Sequence, residues 1–217
     1  MHCSQLVSTG HQKTLEYITS EIERLGDYYK YSTQPFPAVM GQVFESRLVL
    51  GHSVPSSACP MSLTPPTAKK QPVYGDLVLV DNVGCDASDY PAELSGNIAF
   101  VKRGTCPFGT KSELAGAAGA VAAVIYNSNP DGMSGTLGSP APHHVATFSL
   151  SGKEAEPIVE KLKAGEVVDS IAFIDSIVNT INTTNIIIQT TEGDPDNCVM
   201  LGAHSDSVGE GPGINGT

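Results

Sequence analysis

Residues 102–120, KRGTCPFGTKSELAGAAGA, constrain the fold more than any other stretch of this 217-residue chain. The second half is mostly Ala and Gly, so a helix there has almost no bulk and can lie very close to a neighbouring backbone. Such a helix holds its shape only by packing, which calls for a sheet beside it. Thr110 and Glu113 fit a capping box that opens a helix over 111–119. Gly104 and Gly109 permit tight turns, and Phe108 supplies a buried aromatic. Short apolar runs stand on either side, DLVLVD at 76–81, NIAFVK at 97–102 and 121–126, and read as strands. Strand, helix and strand in succession predict an α/β arrangement.

The rest of the chain is organised around that centre. Residues 9–26 read as an amphipathic helix, with Thr9 and Gln12 as a capping box and Gly26 as the stop. Leu15, Ile18, Ile22 and Leu25 recur at helical spacing and share a face. Two strands follow at 28–36 and 44–50, separated by Pro35 and Pro37. Residues 53–72 hold Pro55, Pro60, Pro65, Pro66 and Pro72 and predict an irregular surface loop. A strand at 145–150 leads into a helix from Ser151 to Ala164, with Ser151 and Glu154 as a third capping box and Gly165 as its end. Further strands are predicted at 167–174, 184–191 and 198–203. No internal repeat is present.

Charge narrows the function classes. Twelve basic residues stand against 23 acidic ones, for a formal net charge of −11. Nucleic-acid binding depends on Lys and Arg neutralising phosphates, so a nucleic-acid partner is not expected. An anionic membrane surface is disfavoured for the same reason. No run approaches the roughly 18 apolar residues of a membrane span. Residues 1–6 show neither a basic nor an apolar signal region, so no secretory signal is read in the chain as written. Asn182 and Asn215 nevertheless open Asn-x-Thr sequons, candidate glycosylation sites.

Five cysteines occur, Cys3, Cys59, Cys85, Cys106 and Cys198, with no C-x-x-C spacing, which argues against a zinc ribbon. Cys85 and Cys106 lie 21 positions apart beside predicted strands. A structural disulfide between them would contribute about 3 kcal/mol in the chain-entropy model. No base or metal-ligand pattern surrounds Cys106, so a nucleophilic role lacks support. Cys198 is expected to be a buried thiol in a strand; Cys3 and Cys59 are left as a possible pair. His143 and His144 read as loop residues, Asp194 and Asp196 as turn residues.

One further unit is chemical. The apolar run 198–203 leads into His204-Ser205-Asp206. In an extended segment residues i and i+2 point the same way, so His204 and Asp206 can converge. Imidazole is a standard zinc ligand, and a carboxylate commonly orients it.

Two resemblances follow. The pattern Arg103-Gly104, Cys106, Phe108, Lys111, an Ala/Gly helix and a strand at 121–126 resembles the signature of the protease-associated domain, over about 44–174. Such domains occur in exopeptidases, subtilisin-like proteases and sorting receptors; the resemblance implies partner binding or control of substrate access, with no chemistry of the domain's own. Residues 201–215, LGAHSDSVGEGPGIN, resemble the first metal motif of the aminopeptidase Y type of co-catalytic zinc exopeptidases, peptidase family twenty-eight. In that family a protease-associated domain is inserted near the start of the catalytic domain.

The second resemblance implies an α/β architecture in three segments. Residues 1–43 would open the peptidase domain, 44–175 form the β-rich inserted domain, and 176–217 resume an incomplete zinc-peptidase domain. It implies two zinc ions, with His204 as a metal ligand and Asp206 as the catalytic aspartate that orients it. A glutamate base and a zinc-bridging water would release amino-terminal residues from a peptide substrate, in a secreted or vacuolar enzyme. The bridging aspartate, the Glu pair and the later Asp and His ligands have no counterpart here. The chain is therefore expected to be truncated at both ends and inactive alone, with poorly covered flanking strands. The alternative is a non-catalytic protease-associated binding module. A subtilisin-like host is ranked last, since neither a Gly-x-Ser nucleophile context nor an Asp/His triad motif is read. Oligomeric state is not legible.

Overall fold

The computed structural model describes residues 9–206. Helix α1 is Thr9–Arg24, β1 Tyr29–Leu50, β2 Cys59–Pro60, β3 Val73–Leu79 and β4 Ile98–Lys102. Helix α2 is Phe108–Ala117, β5 Ala122–Tyr126, β6 Thr147–Leu150, α3 Gly152–Lys163 and β7 Asp169–Thr190. The strands form one seven-stranded sheet in the order β1-β7-β3-β4-β5-β6-β2. Strands β3, β4, β5 and β6 run parallel, with Leu77 opposite Ile98, Ala99 opposite Ala123 and Val124 opposite Phe148. β7 joins β3 antiparallel, and β2 joins β6 antiparallel.

Two compact units result, Gly41–Asn179 and the residues on either side of it. In the central unit, β4 and β5 are buried on both faces, which explains their unbroken apolar runs. Alternate residues feed two cores. Phe100, Val124, Phe148 and Leu150 pack with Leu48, Ile174 and Ala155 of α3. Val101, Ala123 and Ile125 pack on the opposite face with Leu94, Met61 and Ala115 of α2. Phe100 and Tyr126 stack with ring centroids 4.6 Å apart. This is the α/β fold expected from the sequence, with helices on both faces of a mixed sheet whose β3–β6 centre is parallel.

Helix α2 starts at Phe108 behind Pro107, so Thr110 lies inside the first turn and caps nothing. Pro107 occupies the N-cap position with extended ψ and offers no side-chain cap, and the helix begins at the next residue. Glu113 accepts instead from the amide of His143 at 3.1 Å. The small residues of α2 serve a loop as well as the sheet. A Cβ on Gly109 would lie 2.2 Å from the Leu137 carbonyl oxygen, and one on Gly116 1.9 Å from that of His143. Gly109 thus permits close backbone approach, where a tight turn was expected. Gly104 instead leaves room for the side chain of Val83. Phe108 is half-buried, its ring against Gly135.

Helix α3 is capped by Ser151, which accepts from the amide of Glu154 at 3.2 Å. Glu154 does not complete the box. Its carboxylate reaches across to the 53–72 segment and accepts from the amides of Ser56 and Ser57, each at 2.9 Å, and from both hydroxyls. These donors hold the Glu154 carboxyl at about 2, well below its usual range. The proline-rich segment is consequently more than a surface loop. It carries β2 and buries Met61, Thr64 and Thr67. Thr67 and Thr64 bond the backbone of Ile174 and Thr147, respectively.

In the flanking unit α1 buries His11 and Ile22, with Leu15 and Ile18 half-buried. Leu25 lies beyond the helix end and is exposed, a departure from the predicted face. Gly26 adopts φ +78°, the left-handed conformation that ends helices. The side chain of Thr9, and with it the first capping box, lies outside the description.

β1 continues unbroken through Pro35 and Pro37, where a break was expected. Residues 29–37 are solvent-exposed on the outer strand of the sheet, a place where a missing amide hydrogen is tolerated. The two strands expected at 167–174 and 184–191 are likewise one, β7. Thr191 N–H donates to the Tyr28 carbonyl at 2.9 Å, and Asn185 Nδ2 to Gln34 Oε1 at 3.3 Å. Rising numbers on one strand meet falling numbers on the other, so this ribbon is antiparallel. Residues 198–203 are not a strand: they pair with no described neighbour, and Val199, Met200 and Leu201 are 90–92% exposed. An apolar run becomes a strand only when another strand takes its amides and carbonyls. Cys198 is accordingly exposed rather than buried.

Candidate functional site

The turn after β7 is built by acidic residues. Asp194 Oδ1 accepts from the amide of Asp196 at 3.0 Å, and its carbonyl accepts from Asn197 at 3.2 Å. The chain then runs without regular secondary structure to His204 and Asp206. His204 Nδ1 lies 2.8 Å from the Asp206 carbonyl oxygen. A carbonyl only accepts, so Nδ1 carries the hydrogen and Nε2 of the neutral ring keeps its lone pair. The Asp206 carboxylate stands 3.5 Å from the same nitrogen. The His204 and Asp206 side chains are 56% and 39% exposed, so their ionic attraction is largely screened by water. The Asp206 main chain thus orients the ring more closely than its carboxylate does.

This donor set fits one corner of a zinc site. The imidazole is in the tautomer that ligates through Nε2. A catalytic zinc takes three protein ligands, and no group of three His, Cys, Asp or Glu is assembled among the described residues. The described residues therefore do not fit a whole zinc site, and no catalytic step through zinc is derived from them.

Asn182 is exposed on β7. Asn215 and Cys3 lie outside the described residues, and Cys59 is an exposed free thiol. His143 is exposed and engages Glu113 only through its amide.

Cys85 and Cys106 are joined in a disulfide, with Cα atoms 5.7 Å apart. Around it sits a polar cluster that the sequence reading missed. Lys111 on α2 is fully buried. Its Nζ donates to the Val83 carbonyl and stands 3.6 Å from Cys85 Sγ. Asp89 is buried nearby and accepts from Asn82 Nδ2 at 2.7 Å and from the amides of Cys85 and Asp86 at 3.0 and 3.1 Å. Those bonds, the Asn82 amide first, hold its carboxyl below the usual range. Burial pushes the Lys111 ammonium down, partly offset by Asp89, and pushes the Tyr90 phenol up. Tyr90 donates to the Gly84 carbonyl at 2.9 Å, also lies 3.1 Å from the Lys111 carbonyl, and so ties the clasp to α2. The signal in the sequence was the single Lys of a helix rich in Ala and Gly, a position where a long charged side chain must be either exposed or fully engaged.

Comparison with known proteins adds three findings. Residues 73–158 match the PA domain family model. Aminopeptidase Y of Saccharomyces cerevisiae is 41% identical over 218 residues, covering 96% of this chain and 40% of that protein. Leucine aminopeptidase 2 of Trichophyton rubrum is 39% identical over 206 residues, covering 95% of this chain and 40% of that protein. The chain thus spans about 40% of the length of these curated relatives. Among solved structures, an aminopeptidase from Aneurinibacillus sp. strain AM-1 superimposes with a TM-score of 0.83 at 26% identity, over 99% of this chain and 52% of that one. A zinc aminopeptidase from Bacillus subtilis shares the fold with a TM-score of 0.57 at 20% identity, over 85% of this chain and 42% of that one.

Proposed function

We propose that this chain, which carries a PA domain and is a homologue of aminopeptidase Y and leucine aminopeptidase 2, belongs to a zinc-dependent aminopeptidase that releases amino-terminal residues from peptides. The observation that carries the reading is 41% identity running across 96% of the chain, flanks included, rather than across the PA domain alone. In this reading His204 offers Nε2 to one of two zinc ions, and Asp206 holds the ring through its carbonyl and carboxylate. The two flanking segments, 1–43 and 176–217, belong to the catalytic domain, and 44–175 is the inserted domain that shapes access to it. Its peptidase setting favours a secreted or vacuolar location, with Asn182 and Asn215 as glycosylation sites. No described helix is long and apolar enough to cross a membrane.

The 217 residues by themselves do not hydrolyse peptides, because His204 is joined by no set of further ligands among the described residues. Zinc titration of the purified chain, followed by an assay on amino-acid anilides, tests this. No stoichiometric zinc and no hydrolysis are expected; tight zinc uptake or release of amino-terminal residues overturns it. A non-catalytic binding role for the PA unit is the second reading, favoured by the completeness of its two cores. A peptide or protein partner captured equally well by 41–179 alone supports that role.

A further inference from the structure

The two sulfurs of the Cys85–Cys106 disulfide sit in unlike surroundings, and the difference sets how the bond can be opened. Cys85 Sγ faces hydrogen-bond donors. The amide of Cys106 lies 3.2 Å from it, Lys111 Nζ 3.6 Å and Thr105 Oγ1 3.6 Å. The Val83 carbonyl oxygen also lies 3.7 Å away, but it is engaged by the Lys111 ammonium. Cys106 Sγ has the Gly84 carbonyl oxygen at 3.8 Å, itself engaged by the Tyr90 hydroxyl, and has no donor comparable to the three at Cys85 among the described residues. Lys111 is fully buried and forms no ion pair at contact distance among the described residues, while Asp89 acts on it only through space. A buried ammonium with a neutral carbonyl as its partner lacks an anion at contact.

We infer that Cys106 is a thiol-exchange site for low-molecular-weight cysteinyl thiols, with Cys85 as the leaving thiolate stabilised by Lys111. A thiolate RS⁻ attacks Cys106 Sγ, the Cys85–Cys106 bond breaks, and Cys85 departs with the bonding pair. The product is the mixed disulfide of Cys106 with R and a Cys85 thiolate against the Lys111 ammonium. A second RS⁻ attacks the sulfur of R, forms RSSR and releases Cys106, which takes a proton from water. Two thiols thus supply the two electrons that reduce the bond. The better-stabilised sulfur leaves faster, and a lysine beside a thiol lowers its pKa. Cys85 and Cys106 are both half-buried, so access does not distinguish them and the preference rests on the donors around Cys85 Sγ; Cys106 stands between exposed Thr105 and Pro107.

Glutathione is the probe. The oxidised full chain is exposed to it briefly, quenched with acid, alkylated and peptide-mapped. Glutathione on Cys106 and an alkylated Cys85 are expected, with Cys106 adducts about tenfold over Cys85 adducts. Lys111→Met should slow opening about threefold to tenfold, and Lys111→Arg should restore most of the rate. Equal adducts on the two cysteines, or wild-type opening in Lys111→Met, overturns the inference. Should Lys111→Met fail to fold, the wild-type adduct map decides together with Thr105→Val, an exposed position, whose expected effect is a slowing of about twofold. Cys59 and Cys198 are free thiols, which reduced glutathione cannot convert to mixed disulfides without an oxidant; they should be found only alkylated and serve as the control against adventitious oxidation.

Discussion

The central unit, residues 41–179, and the flanking unit answer the same apolar patterning in opposite ways. At the centre, NIAFVK at 97–102 becomes β4, and its Ile98, Ala99, Phe100 and Val101 are excluded from solvent. In the flank, the equally apolar CVMLGA at 198–203 has no regular secondary structure and lies exposed to water. The difference is neighbours. β4 has β3 and β5 beside it and α2 and α3 above and below, whereas 198–203 hydrogen-bonds to no described strand. Hydrophobicity sets what a segment gains by burial, and the presence of a partner decides whether it is buried.

The comparison can be broken at several points. Phe100→Ala removes a fully buried ring stacked on Tyr126 and should cost about 3–5 kcal/mol by urea unfolding. A loss under about 1 kcal/mol would mean that the central core is looser than its packing. The double change Cys85→Ser with Cys106→Ser should cost about 3 kcal/mol, because a closed loop of this size restricts the unfolded chain.

Glu154→Gln should cost about 1 kcal/mol after allowance for solvent screening. The pH dependence has a definite sign. The Glu154 carboxyl is held at about 2 against 4.5 for an unperturbed one, so the unfolded chain binds the proton more readily. The stabilisation is complete above about 4.5 and is lost as pH falls toward 2. Acid-unfolding curves of wild type and Glu154→Gln should therefore converge in that window; parallel curves would show that the Ser56–Ser57 clamp is not titrating.

Met200→Ser and His204→Ala should each change stability by less than about 0.5 kcal/mol, since both side chains are exposed. Proteases should cut within 191–206 first and leave 41–179 whole; a fragment retaining 184–203 under prolonged digestion would show that the flank is covered in solution.

Much of the centre was readable because its signals are local and agree with one another. The strands of 76–81, 97–102 and 121–126 alternate with turns, and Ser151 caps α3 as its chemistry dictates. The readings that failed depended on partners far away in sequence. Glu154 answers Ser56 and Ser57 rather than Ser151, Glu113 answers His143, and Pro107 displaces Thr110 as the helix opener. At the candidate site, the i, i+2 relation of His204 and Asp206 was legible from the chain, while the carbonyl of Asp206 as the nearer partner of Nδ1 was not. Lys111 was singled out only as part of a signature and Asp89 not at all, because burial of a charge is invisible until the surrounding donors and acceptors are in place.

The order of apolar runs, small residues and turns was enough to determine that this chain builds an α/β sheet around 102–120, since period and propensity act over a few residues. Only the tertiary structure decided which glycines admit a loop backbone, that β1 and β7 each run through what looked like breaks, and that 198–203 stays unpaired. Those outcomes depend on which groups arrive beside them, and hydrogen-bond satisfaction and burial are properties of the assembled neighbourhood rather than of any segment.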